Sequence, residues 1–160
     1  MKNVLTCLVL FASLTFGMAS CDKGNSPISI TDTENSNATN TNQTGSKMKI
    51  TIGTMVFTAT LYNNASANAL KAKFPLTINM IELNGNEKYY DFANSLPANA
   101  SVGGNIKVGD LTLYGSNTLV LFYKGFNTSY SYTKLGYVDN PSGLATALGN
   151  GNVVVKFENN

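Results

Sequence analysis

Few residues in this sequence could do chemistry. It contains no His and no Trp, and each of its 11 basic residues is Lys, so there is no Arg. Without an imidazole, neither a Ser-His-Asp nor a Cys-His nucleophilic site can be assembled. Zinc sites built from His and Cys are ruled out for the same reason. Calcium needs clustered carboxylates, and no Asp/Asn-rich stretch has EF-hand spacing. Gly103-Gly104 and Gly149-Asn150-Gly151 fit neither a Walker nor a dinucleotide-binding pattern and read as turns. No metal and no cofactor is expected. A carboxylate pair, Glu87 with Asp110, stays open as an acid–base arrangement. Against it stand a strand-end role for Glu87, in solvent or tied to a Lys, and a turn-capping role for Asp110 behind Gly109.

What the chain has in quantity is aromatic. All eight Tyr and six of the eight Phe lie between residues 47 and 160. In Tyr130-Ser131-Tyr132 the two rings share one face of a strand, whereas Tyr89 and Tyr90 point to opposite faces. Tyr offers a rigid surface with a polar tip, suited to barrel rims and binding grooves. Lys124-Gly125-Phe126-Asn127-Thr128-Ser129 reads as a loop behind an apolar strand, and loops on a rigid scaffold often carry binding residues. The expected ligand site is a cleft of Glu87, Tyr89, Asp110, Tyr114, Phe126, Ser129 and Tyr130, holding a peptide, small-molecule or protein ligand, with no catalytic residue assigned. Over residues 47–160, nine Lys and six carboxylates are scattered without a basic cluster, so no nucleic acid partner is expected.

The elements that must position these residues are mostly strands. Residues 49–61 alternate apolar and polar around Gly53-Thr54, the pattern of a β-hairpin. Residues 75–83 form a strand closed by the turn pair Asn84-Gly85, followed by strands at 87–92, 105–114, 118–124, 129–139 and 153–158. Residues 64–74 predict a helix capped by Asn63 or Asn64. Residues 142–148 predict another, which stops at Gly149. About eight strands with two short helices imply a mainly β, closed eight-stranded barrel, closure being one way to remove exposed sheet edges. An open α+β sandwich is the alternative.

Leu83-Asn84-Gly85-Asn86-Glu87-Lys88-Tyr89-Tyr90 resembles a W-G-D-E-x-Y-F stretch of bacterial cyclophilin-like barrel proteins. Gly109-Asp110-Leu111-Thr112-Leu113-Tyr114 resembles their G-D-hydrophobic hairpin. Tyr132-Thr133-Lys134-Leu135-Gly136-Tyr137-Val138, followed by the second helix and the last strand, resembles their closing segment. The resemblance spans residues 47–160 and implies the cyclophilin-like barrel, a fold that does not by itself fix an activity. True cyclophilins isomerise prolyl bonds with an Arg that hydrogen-bonds the proline amide. This chain has none, and a Lys lacks the planar fork. The missing Arg and His and the wealth of aromatics therefore lead to the expectation of a non-catalytic binding module, with a divergent peptidyl-prolyl isomerase as one alternative. An accessory to a flavodoxin-type redox partner is the second, although no flavin signature is visible.

The amino terminus reads as a processing signal. Lys2 precedes an uncharged apolar run at residues 4–16, too short to span a bilayer, which needs about 20 apolar residues. Ala19-Ser20-Cys21 behind it resembles the lipobox of bacterial lipoproteins. Residues 1–20 are thus expected to be removed and Cys21 lipidated, several acyl chains giving a stable membrane anchor. Cys7 falls within the removed segment, so the mature chain can form no internal disulfide. Residues 21–46, rich in Asn, Ser and Thr, cannot bury enough apolar surface to order and are expected to be a flexible linker of roughly 25–30 Å. The expectation is a cell-envelope protein, at the outer membrane, with its domain at 47–160 in the periplasm or at the cell surface.

Overall fold

The computed structural model of the chain describes residues 45–160. The expected signal segment, the expected lipidation at Cys21 and the expected linker as far as residue 44 lie outside the described residues. Ser46, placed in the linker by its sequence, accepts a hydrogen bond from the Leu61 amide at 2.9 Å and is held against the domain.

The first hairpin, β1 (Lys47–Ile52) and β2 (Met55–Leu61), turns where expected. Helix α1 (Ala65–Lys71) starts at Asn64, whose side chain accepts from the Ala67 amide at 2.8 Å. It ends three residues before the expected Phe74. Pro75 keeps its predecessor out of the helical region, and the amides of Lys73 and Phe74 fold back to the carbonyls of Leu70 and Lys71 in tighter turns. Strands β3 (Leu76–Leu83) and β4 (Glu87–Asp91) meet across Asn84-Gly85, at φ 55° and 68°. That left-handed pair suits a two-residue hairpin turn.

The single strand expected over 105–114 is two strands, β5 (Ser101–Ile106) and β6 (Asp110–Tyr114). The Asp110 carboxylate accepts from the Lys107 amide at 2.8 Å, and the Asp110 amide donates to the Lys107 carbonyl at 3.1 Å, closing a turn between them. β7 (Thr118–Phe122) follows, then β8 (Phe126–Val138), which takes in most of the segment expected as a ligand loop. Backbone pairing with β5 is what makes that segment a strand. Helix α2 (Leu144–Leu148) ends on Gly149 at φ 60°, and β9 (Val153–Asn159) completes the fold.

The strands run in the order β2-β1-β9-β3-β4-β7-β6-β8, every pairing antiparallel, and β2 pairs with β8 to close a ring of eight. The fold is thus mainly β and closed, and not an open sandwich. β5 is a ninth strand. It pairs with residues 126–132 of β8, on the edge whose later residues, 136–138, pair with β2.

Inside the ring, Met48, Ile50, Met80, Leu111, Leu119, Leu121, Leu135 and Phe157 have essentially no exposure and form one core. Ala67 and Leu70 of α1 join it at one end and Leu144 and Leu148 of α2 at the other. Truncating such side chains costs roughly 2–5 kcal/mol each. Among the described residues no helix is long and apolar enough to cross a membrane.

An aromatic cleft as the candidate functional site

The site is built on the outer wall of the barrel, where β4, β7 and β6 lie side by side. Register pairs Glu87 with Phe122, Tyr89 with Val120 and Asp91 with Thr118. Thr112 lies beside Val120 and Tyr114 beside Thr118. Strand alternation sends Lys88 and Tyr90 inward, so Glu87, Tyr89 and Asp91 face out. There a second, smaller core forms from Ile106, Val120, Phe122 and Tyr132, with Tyr89 and Phe126 packed against it. The β5–β8 arm makes this possible by carrying Ile106, Phe126 and Tyr132.

A bulge shapes the arm. Val102 pairs with Ser131 and Gly104 with Thr128, so Ser129 and Tyr130 together stand opposite Gly103. Bulges of this kind re-aim side chains. Gly103 is where the arm packs closest: a Cβ there would lie 2.9 Å from Thr128 Cγ2 and 3.1 Å from Tyr132 Cδ2.

Beside the small core lies an open cleft of about 400 Å³. Glu87, Tyr89, Tyr114, Phe126 and Tyr130, five residues of the expected site, line it. Tyr114 and Tyr130 meet edge to face, with centroids 6.2 Å apart and planes at 90°. Tyr114 also lies 5.7 Å from Tyr132, and Phe126 packs on Phe122 at 5.5 Å.

Two expected residues are placed elsewhere. Asp110 caps its own turn and lines a different groove, with Lys107, Tyr62 and Tyr137. Its carboxylate is therefore no partner for Glu87 in this cleft. Ser129 sits in the bulge but is not part of the lining. The sequence reading missed Leu83, Asn84, Asn86, Asp91, Thr118, Val120 and Tyr132. Strand period alone could have found Asp91, two residues beyond Tyr89, and Tyr132, two beyond Tyr130. Thr118 and Val120 require knowing that β7 separates β4 from β6.

Electrostatically the cleft is acidic. Asp91 accepts a hydrogen bond from the Thr118 hydroxyl at 2.6 Å. Glu87 is 8% exposed, and burial pushes its carboxyl above the ordinary range, with the Glu82 charge adding to the rise. Burial likewise raises the Tyr132 phenol, helped by Glu87. A carboxyl with a raised folded pKa contributes most below its unfolded pKa, and that contribution is lost as pH rises through the folded value. Among the described residues no three potential metal-ligating side chains of His, Cys, Asp or Glu gather.

The cyclophilin-like family model matches residues 50–158, and the chain belongs to that family. Among solved structures it is similar to the solution structure of the hypothetical protein AF2241 from Archaeoglobus fulgidus. The two share 15% identity at a TM-score of 0.55, over 76% of this chain and 99% of the other. At that identity the likeness shows the fold alone. A search of curated proteins finds no match.

Proposed function

We propose that this protein is a lipid-anchored, non-catalytic binding module, tethered through Cys21 to a cell-envelope membrane and holding a peptide or small ligand in the outer-wall cleft. The observation that carries the reading is the convergence of three elements, β4, β6 and β8, on one cleft walled by Tyr89, Tyr114, Phe126 and Tyr130. Concave, mainly aromatic sites with a few placed polar groups are the usual form of a ligand pocket.

The cleft is tested by NMR titration with acetyl-Ala-Pro-Lys-Ala-amide, reading amide shifts and prolyl cis/trans exchange together. Shifts are expected around Tyr114 and Tyr130 with no acceleration of exchange. Tyr130→Ala, a change at a side chain 64% exposed, is expected to weaken binding roughly ten-fold. Accelerated exchange would replace the non-catalytic reading with a divergent isomerase. Binding indifferent to Tyr130→Ala and to Phe126→Ala would remove the ligand from this cleft.

The anchor rests on the apolar run and the Ala19-Ser20-Cys21 sequence. Cys21→Ser is expected to abolish labelling by radioactive palmitate in the producing bacterium and to move the protein out of the membrane fraction. Undiminished labelling would rule out Cys21 as the acylated residue.

A further inference from the structure

We infer that the cleft is built for a primary alkylammonium group, with Glu87 meeting the charge and the tyrosine rings the alkyl stem. The inference rests on the cleft being the ligand site and names the chemistry that site selects.

Charge distribution gives the first argument. Residues 47–160 hold nine Lys and six side-chain carboxylates, yet the cleft is lined by Glu87 and Asp91 and by no Lys. A basic domain has an acidic site.

Hydrogen bonding gives the second. Five of the six carboxylates have a donor: Glu82 from Lys88 and Tyr123, Asp91 from Thr118, Asp110 from the Lys107 amide, Asp139 from Lys47 and Thr60, and Glu158 from Lys156. Among the described residues none donates to Glu87, although it is 8% exposed and lines the cleft. A largely buried carboxylate that lacks a donor is costly. An ammonium supplies three donors and no acceptor, which matches the deficit. A quaternary ammonium could neutralise the charge but could donate to neither carboxylate oxygen. The small exposure of Glu87 suits a compact head more than a flat guanidinium fork.

The rings give the third. Tyr114 and Tyr130 stand at right angles and are 46% and 64% exposed. They offer two faces to a methylene stem and to the charge beyond it, a geometry that favours cations over neutral chains.

The experiment compares acetyl-Ala-Pro-Lys-Ala-amide with the same peptide carrying norleucine, which keeps the stem and lacks the ammonium, by NMR titration of the purified protein. The lysine peptide is expected to bind at least ten-fold more tightly. Glu87→Gln, close to isosteric, is expected to erase that preference. A titration with 1,5-diaminopentane separates the sources of the group. Affinity matching the lysine peptide would indicate a free amine, and markedly weaker binding a lysine within a chain. Equal binding of the two peptides at Tyr130 would overturn the ammonium assignment and leave the cleft reading standing. Loss of both would overturn both. A lysine preference surviving Glu87→Gln would overturn the role of Glu87.

Discussion

Replacing Lys88 with Met is expected to lower the free energy of unfolding by about 3–5 kcal/mol, a large share of the stability of a domain this size. Lys88 is among the largest fully buried side chains, with 0% exposure, and the one charged residue among them. It lies on the inward face of β4, at the end of the barrel closed by α2. Its Nζ is paired with Glu82 directly across the β3–β4 hairpin and donates to the carbonyls of Gly149 at 2.8 Å and Gly151 at 2.7 Å. It also stands 5.1 Å from the centre of the Tyr123 ring. One ammonium thus ties the hairpin to the turn behind α2. Met would fill the space of the stem but leave two carbonyls without their donor and Glu82 without its ion-pair partner, and removing one partner of such a pair costs more than the pair gains.

The same cluster gives that loss a pH signature. Burial pushes the Glu82 carboxyl up, but hydrogen bonds from Lys88 and Tyr123 and the Lys88 charge outweigh it and hold the carboxyl below its ordinary range. The Tyr123 phenol, which donates to Glu82 at 2.8 Å, is pushed up to about 12 by burial and by that hydrogen bond. A depressed carboxyl stabilises the fold above its unfolded pKa, and the contribution is lost as pH falls through the folded value. Urea unfolding of the parent and Lys88→Met should therefore differ most near neutral pH, and the gap should narrow in acid. A gap of the same size at pH 7 and pH 3 would show that the Lys88–Glu82 pair is not what the substitution removes.

The sequence made the local chemistry legible and left the long-range chemistry hidden. Asn84-Gly85 marked its hairpin because two left-handed residues in succession are a local demand. Asn64 marked the start of α1 because a cap satisfies an amide three residues away. The first four residues of β5 were invisible: Ser-Val-Gly-Gly has two glycines and no alternation, and it is strand because β8 pairs with it. Residues 126–128 looked like a loop for the same reason.

The site divides along the same line. Glu87 with Tyr89, and Tyr130 with Tyr132, could be placed on common faces by the two-residue period. Bringing the two pairs to one cleft depends on the order β4-β7-β6-β8, which no local pattern encodes. Asp110 was misplaced because the amide that satisfies its carboxylate, three residues back, competes with any more distant partner. No local pattern marks Lys88 as buried. Its burial follows from Glu82 standing opposite it and from two carbonyls more than 60 residues away in sequence.

Gly136→Ala is expected to destabilise the protein by about 3 kcal/mol, the upper end for overpacking by one methyl group, because the group it would strike is backbone. A Cβ at position 136 would collide with the Thr60 carbonyl oxygen and lie 3.0 Å from Leu61 Cα. Neither can swing away as a side-chain tip could. Gly136 pairs with Leu61 in the β2–β8 seam, whose register has three residue pairs, and on its other edge with Leu111 beside the β6–β8 bulge. Pushing β2 away at this point opens the ring at one of its two shortest ladders. The hydrogen bonds next to it share the strain: the Tyr62 amide donates to the Leu135 carbonyl at 2.9 Å, and Asp139 draws Lys47 at 2.8 Å and Thr60 at 2.5 Å across the same seam. Gly151 provides the control, because a Cβ there meets nothing within 4 Å and the change to Ala should move stability by less than about 0.5 kcal/mol. Hydrogen exchange locates the damage. In Gly136→Ala, amides of 59–61 and 136–138 should lose protection before those of the five-pair β4–β7 ladder, because local opening starts where pairing is weakest. Equal stability of the two variants would mean that the barrel closes without needing glycine at the seam. Uniform loss of protection would mean that the ring opens as one cooperative unit and has no weak seam.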